Sequence, residues 1–179
     1  MPRAGLDAER VVTEAVAVAE EVGIANLSLA AIAVRLGVKV PSLYKHVAGL
    51  DDLKQRVAVR ARGDLAAALE AAGESLGALA RAYRDWARAH PGLYPATLRA
   101  PLDGDADDLA TSTRAITVIY GALAQLGVEG DAVIDATRAL RATLHGFVSL
   151  EAAGGFGLPR DIDRSFATAV ALLEDSLRG

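Results

Sequence analysis

The sequence predicts an all-α protein, and three observations support this fold class. Apolar residues recur at helical spacing along most of the chain, and no segment shows the strict alternation of a strand. Short segments rich in glycine and proline interrupt this spacing, as they do between helices. Residues 29–47, LAAIAVRLGVKVPSLYKHV, also combine the spacing and punctuation of a helix-turn-helix.

The composition excludes several classes of protein. A chain of 179 residues that is 52% hydrophobic can bury a substantial core. It contains no cysteine and its first residues lack the regions of a signal peptide, so we expect a cytoplasmic protein. No apolar run reaches the roughly 18 residues of a membrane helix. We therefore expect no membrane association.

Positive charge is concentrated around the motif, although the net charge of the chain is −4. Residues 28–60 hold six basic and two acidic side chains, a local charge of +4, and all three lysines lie between Lys39 and Lys54. In a genome that encodes arginine in preference to lysine, three lysines could fall anywhere in the chain by chance. Their clustering instead favours a basic patch that could meet nucleic acid.

The first two helices have recognisable ends. Asp7 is a plausible N-cap for a helix that Gly23 ends. Asn26 and Ser28 both offer caps for a second helix, which runs to about Leu36. A serine at a helix start can also donate to a phosphate, and for Ser28 the two roles are compatible.

Within the motif, each residue type suits its position. Ala33 is small where the two helices approach, and Gly37, four residues later, can adopt a positive φ in the turn. Val38 and Leu43 would hold the second motif helix, about residues 39–46, against the first. Pro41 lies in the first turn of that helix, where its missing N–H costs nothing.

Helical spacing continues to the end of the chain. Asp51 and Asp52 suit the N-terminus of a long helix. The further predicted helices span about 51–72, 74–89, 93–99, 105–126, 131–153 and 161–177.

The outer surface of the motif's second helix supplies candidate DNA contacts. Lys45 and Ser42 could hydrogen-bond base edges, while Val40 and Pro41 could contact a thymine methyl group. The candidate phosphate contacts are Ser28, Lys39, Tyr44 and His46. Two alternatives stay open, because Tyr44 could be a buried structural ring and His46 a simple helix-end residue.

The first 60 or so residues resemble the DNA-binding domain of the tetracycline-repressor-like (TetR) family of bacterial transcription regulators. The residues that carry the resemblance are Gly23, Leu29, Ile32, Ala33, Leu36, Gly37, Val38, Leu43 to Val47, and Leu53. The resemblance implies an all-α fold of about nine helices. It also implies an N-terminal three-helix DNA-binding domain, here 1–49, and a helical ligand-binding and dimerisation domain, here 50–179.

Two positions depart from the family pattern. Lys39 stands where members often have a serine or threonine that caps the recognition helix, and Leu50 stands where they often have lysine. We therefore expect a phosphate contact to have moved from position 50 to Lys39, Lys45 or Lys54. The C-terminal half also resembles a subfamily with a Trp-His-Gly motif, matched here by residues 144–146 with leucine in place of tryptophan, and by the following Glu151.

In this family the last two helices pair with their copies across a two-fold axis, which implies a homodimer. The apolar stripes that fit this interface contain Leu140, Leu144, Phe147, Val148, Phe166, Val170, Leu173 and Leu177. The alternative is that the stripes form the core of a single chain, and periodicity does not separate the two.

A ligand site would use polar and aromatic residues that interrupt the apolar faces of the C-terminal half, because pockets between helices are apolar with a few polar groups. The candidates are Tyr83, Trp86, His90, Tyr94, Tyr120 and His145. Each could equally be an ordinary core or surface residue, and close helix contact at Gly146 would explain His145.

An enzyme or metal site is not expected. The three histidines have no HxxxH or cysteine partner. Asp103, Asp105 and Asp107 mimic the start of a calcium loop, but Asp108 replaces its glycine and Arg114 its closing glutamate. The glycines at 154–157 follow a helix rather than a strand, so they are not a dinucleotide fingerprint. We expect no cofactor.

The sequence thus predicts a homodimeric repressor that binds a palindromic operator in double-stranded DNA and leaves it when an unknown small-molecule effector binds. One alternative is a dimeric DNA-binding protein without an effector. Another is a helical ligand-binding module that has lost DNA binding, which Leu50 and the acidic total would favour.

Overall fold

The computed structural model describes residues 6–178 and confirms the all-α class, because that range contains eight α-helices, two short 3-10 helices and no strand. The α-helices are α1 Ala8–Val22, α2 Leu29–Leu36, α3 Val40–Leu43, α4 Leu50–Ala72, α5 Leu76–Ala89, α6 Ala106–Gln125, α7 Ala132–Ala152 and α8 Ile162–Leu177. The 3-10 helices are Ile24–Asn26 and Tyr94–Thr97. Within the described range, no helix is both long enough and apolar enough to cross a membrane.

The predicted caps Asp7 and Ser28 and the predicted turn of the N-terminal helices are present, but Asn26 does not cap α2, because its side-chain amide donates to the Val22 carbonyl at 2.8 Å. The Asp7 side chain accepts the Arg10 N–H at 2.7 Å, and the Ser28 hydroxyl accepts the Ala31 N–H at 3.2 Å. Gly37 ends α2 with a φ of 67°, in the left-handed region that favours glycine. Local side-chain chemistry therefore sets the ends of α1 and α2.

The recognition segment, defined as residues 39–46, is less helical than predicted. Only Val40–Leu43 forms an α-helix. The His46 N–H donates to the Leu43 carbonyl three residues before it, at 2.9 Å, as in a 3-10 turn. The Val47 N–H shares the same carbonyl at 3.1 Å, and the regular helix does not continue. The prediction of a regular helix over 39–46 was wrong in its second half.

A short helix is present within the predicted stretch 93–99, but it is a 3-10 helix that spans only Tyr94–Thr97. Pro95 lies in the first turn of this helix, where its missing N–H costs nothing, and the Thr97 hydroxyl donates to the Tyr94 carbonyl at 2.8 Å. Competition from this side chain for a backbone carbonyl favours a short turn here.

The chain folds into two compact units. The first unit comprises Met1–Asp64 and His90–Leu109, and the second comprises Leu65–Ala89 and Ala110–Gly179. The first has a core of fully covered apolar side chains from α1 to α4: Val11, Ala15, Ile32, Leu43, Leu53 and Val57. In the second, α5 packs against α7 and α8 around Leu79, Ala80, Leu123, Leu140, Leu144 and Phe166.

The turn at residues 90–92 packs directly against the end of α1 in the first unit. A β-carbon on Gly92 would lie 2.3 Å from the Ala19 carbonyl oxygen and 2.5 Å from that of Glu20. The Ile24 N–H donates to the Gly92 carbonyl at 3.2 Å. Only glycine allows this close approach of two backbones.

A buried carboxylate joins α4 to the first turn of α6 in the same unit. Asp108 is fully covered and pairs with Arg62 of α4. It also accepts hydrogen bonds from Gln55 at 2.9 Å, from Arg99 at 3.1 Å and from the Leu102 N–H at 3.0 Å. These bonds compensate the cost of burying its charge.

A buried arginine holds the three helices of the second unit together. Arg84 of α5 donates to both carboxylate oxygens of Glu151 on α7, at 2.8 and 2.6 Å, and lies 2.7 Å from Asp163 on α8. Its guanidinium also lies over the ring of Phe166, at 4.8 Å from the centroid. The hydrogen bonds from Arg84 hold the pKa of Glu151 below its ordinary value.

Candidate functional site

The recognition segment presents most of its side chains to solvent from a buried anchor. Leu43 is fully covered and fixes the segment to the core of the first unit. Pro41, Tyr44 and Lys45 are exposed, while Val40, Ser42 and His46 are half-buried. Tyr44 is 57% exposed, so the alternative of a buried Tyr44 ring is wrong. The residues predicted to contact bases thus remain available to a partner.

Ser28 has a confirmed structural role, because its hydroxyl oxygen caps α2. Accepting that bond leaves the hydroxyl hydrogen available, so a phosphate contact remains compatible with the cap. The phosphate role of Ser28 stays a prediction.

A carboxylate fixes the start of α4 beside Leu50. Asp52 accepts the Ala48 N–H at 2.8 Å and the Arg56 Nε at 3.0 Å. Burial raises the pKa of Asp52, but the hydrogen bonds from Arg56 and Ala48 outweigh it, and the pKa lies below its ordinary value. The turn into α4 is therefore held by an ionised aspartate.

The cations near the recognition segment differ in their surroundings. Lys54 donates to the Ala25 carbonyl at 3.3 Å. Among the residues that the structure describes, neither Lys39 nor Lys45 forms an ion pair, and both are exposed. Of the three lysines expected to replace a contact at position 50, these two are better placed to reach a phosphate.

The six candidate ligand contacts do not share one environment. Tyr83, Trp86, Tyr120 and His145 belong to the second unit, while His90 and Tyr94 belong to the first. Tyr83, Trp86 and Tyr94 are buried, Tyr120 is exposed, and both histidines are half-buried. Their role as ligand contacts stays a prediction.

A groove between α5 and α8 was not anticipated from the sequence. It has a volume of about 420 Å³, and Phe166 and Val170 contribute its apolar part. Its charged lining consists of Arg81, Arg84, Arg88, Asp85, Asp163 and Glu174. The helical spacing of the three arginines is the only signal the sequence offered. The lining carries as many carboxylates as guanidinium groups, so it does not select a ligand by net charge.

The apolar stripes proposed for a dimer interface lie mostly inside the second unit. Leu140, Leu144, Val148, Phe166 and Val170 are buried within the single chain, and Phe147, Leu173 and Leu177 are half-buried. Phe147 packs against Phe156 and Phe166, with ring centroids 4.7 and 5.0 Å apart. Burial in one chain explains the stripes, so they are not evidence for a dimer on their own. The exposed leucines of α7 and α8 are Leu150 and Leu172.

Comparison with known families assigns both parts of the chain. The model described as "Bacterial regulatory proteins, tetR family" matches residues 11–53, and "Tetracyclin repressor-like, C-terminal domain" matches residues 76–173. The first match contains the recognition segment. The second covers more than half of the chain.

Individual relatives agree with this assignment. The uncharacterized HTH-type transcriptional regulator Rv0681 of Mycobacterium tuberculosis is 35% identical over 158 residues, which cover 84% of this chain and 72% of that protein. The uncharacterized HTH-type transcriptional regulator YobS of Bacillus subtilis is 33% identical to this chain, over 94% of this chain and 91% of that protein. A TetR variant from Acinetobacter baumannii, solved in complex with minocycline, shares the fold with a TM-score of 0.67 and 22% identity, over 98% of this chain and 99% of that one. The chain therefore belongs to the TetR family of bacterial transcription regulators.

Proposed function

We propose that this protein is a repressor that binds a palindromic operator as a homodimer and leaves it when a small molecule binds. In this proposal, residues 1–49 contact DNA and residues 50–179 bind the effector and dimerise. The observation that carries it is the exposed recognition segment on its buried anchor, Leu43. Because its partner would be chromosomal DNA, we place the protein in the cytoplasm.

The side chains of the recognition segment divide into base and phosphate contacts. Lys45 and Ser42 would hydrogen-bond base edges, while Val40 and Pro41 would contact thymine methyl groups. The proposed phosphate contacts are Ser28, Lys39, Tyr44 and His46, which fix the position of the protein on the duplex.

Dimerisation would supply the specificity that one short segment lacks. A single recognition segment covers a few base pairs, so two copies on a palindrome are needed, with half-sites about 34–36 Å apart or a multiple of that distance. We propose that α7 and α8 form the interface through exposed side chains, including Leu150 and Leu172.

An effector would act by favouring the arrangement that does not fit the operator. The Acinetobacter protein of the same fold has minocycline bound, which supports a small-molecule effector for this chain. Buried aromatic residues such as Tyr83 and Trp86 are candidates to contact it. Mass spectrometry of small molecules released from cell-purified protein would test this part of the proposal.

Selection from a pool of random-sequence duplexes tests DNA binding directly. We expect the full chain to enrich a palindromic sequence and to bind it with an affinity that falls as salt rises, because cations meet phosphates. Failure to enrich any duplex at low salt would overturn the proposed function.

A further inference from the structure

Most cations around the recognition segment are bound to groups of the protein itself. The guanidinium of Arg35 on α2 lies 2.6 Å from Glu14 and 2.6 Å from Glu21, both on α1. The other internal contacts join Arg56 to Asp52 at 3.0 Å, Arg60 to Glu9, and Lys54 to the Ala25 carbonyl at 3.3 Å. The local charge of +4 therefore overstates the positive charge that a partner would meet.

These internal pairs weaken attraction to phosphate for a physical reason. A phosphate that approaches Arg56 also approaches the carboxylate of Asp52, and the two effects largely cancel at that separation. Arg35 lies between two carboxylates, so its immediate surroundings are net negative. The pKa of Arg35 is raised, first by its hydrogen bond to Glu21.

Position along α4 separates Arg60 from the recognition segment as well. Arg60 lies ten residues after Leu50, which corresponds to about 15 Å along a helix axis. Because Arg60 pairs with Glu9, the start of α1 and the neighbouring Arg10 lie at about the same distance along α4 as Arg60. Lys39 and Lys45 lie on the recognition segment itself, exposed and without an ion pair among the described residues.

We infer that Lys39 and Lys45 supply the cationic contact of each protomer with DNA. In this inference Arg35, Arg56 and Arg60 are neutralised by carboxylates of the protein, and Lys54 keeps its charge but is held at the Ala25 carbonyl. The inference rests on the proposed function, because it concerns the same DNA surface. Uncharged donors of the protein, such as the Ser28 hydroxyl and main-chain N–H groups, would then make the remaining contacts with DNA phosphates. These contacts would not add to the salt dependence of the affinity.

The salt dependence of binding measures the number of cations at the DNA. With two cations per protomer, the slope of log K against log salt is about −2 per bound protomer, whereas all six would give about −5. The experiment is a fluorescence-anisotropy titration of the full chain on a duplex enriched by selection, at several NaCl concentrations and pH 8, with the stoichiometry measured separately.

Two matched variants identify the cations. We expect Lys39→Gln to change the slope from about −2 to about −1 per protomer, because one cation that contacts phosphate is lost. Arg56→Gln removes the same charge a short distance away and should leave the slope unchanged. Circular dichroism checks that both variants keep the helical content of the parent.

The outcomes are distinct. A parent slope near −5, or an equal change of slope in both variants, would overturn the inference while leaving DNA binding intact. Failure to enrich any duplex would overturn the proposed function, and the inference with it.

Discussion

Gly92 shows how a single residue holds the first unit together. Its backbone lies so close to α1 that a β-carbon would fall well inside contact distance of the Ala19 and Glu20 carbonyl oxygens. Those atoms are backbone and cannot rotate away as a side chain could. The absence of a side chain at 92 is therefore a requirement of packing.

We expect Gly92→Ala to lower the free energy of unfolding by about 1–3 kcal/mol, because the helix or the turn must shift to admit a methyl group. Gly121→Ala is the matched control, since a β-carbon there has no neighbour within 4 Å on α6. The control should be neutral or stabilising by about 0.5–1 kcal/mol. Thermal and urea unfolding measure the stability of both variants. Equal effects would show that the close approach of the Gly92 backbone to α1 does not limit the residue type at this position.

Residues with local roles were predictable from the sequence, and residues with distant partners were not. Ser28 and Gly37 act through neighbours three or four positions away, so their types at those positions indicated their roles. Arg35 was counted with the basic patch, but Glu14 and Glu21 lie 21 and 14 positions before it. Only the packing of α2 on α1 reveals that pair.

At the scale of the helices, Arg84 joins α5 to α7 and α8. The hydrogen bonds to Glu151 keep that carboxylate ionised and lower its pKa from the ordinary value of 4.5. A group with a lowered pKa in the folded state stabilises the protein above its ordinary pKa. That contribution is lost as the pH falls through the pKa of the folded state.

We expect Glu151→Gln to be less stable than the parent by about 1–3 kcal/mol at pH 7, because Arg84 loses an ionised partner. The difference should begin to narrow below about pH 4.5, where Glu151 of the unfolded parent takes up a proton, and it should disappear as the pH falls through the lower pKa of the folded state. Urea unfolding at several pH values between about 3 and 7, a range that spans the titration of glutamate, measures the difference. Glu129→Gln is the control, an exposed carboxylate with no ion pair in the described part of the chain. A difference that stays constant with pH would contradict the account.

The elements were more predictable where they are long. Helices α4 to α8 lie within two residues of their predicted bounds, because caps and apolar spacing persist over many turns. The segments at 39–46 and 93–99 are short, and there single turn hydrogen bonds outweigh helical spacing. The groove between α5 and α8 depends on packing, which periodicity does not specify.

At the scale of the whole molecule, the proposed dimer depends on side chains that one chain leaves exposed. Leu172 on α8 is 66% exposed, unlike the buried residues of the same helix. We expect Leu172→Asp to be monomeric by light scattering and to lose affinity for the enriched duplex, because a charge would be buried at the interface.

Leu102→Asp provides the matched control, because Leu102 is 51% exposed in the first unit. It carries the same change of charge and should remain dimeric. A dimer that survives Leu172→Asp would show that α8 does not contribute Leu172 to the interface.

The recognition segment is proposed to read DNA sequence, and one ratio of affinities tests this proposal most directly. It is the affinity of the full chain for the enriched duplex divided by its affinity for a scrambled duplex of the same composition, at one salt concentration. We predict a ratio of at least about 10³, as is typical of specific regulators. Equal affinity for the two duplexes would contradict the claim.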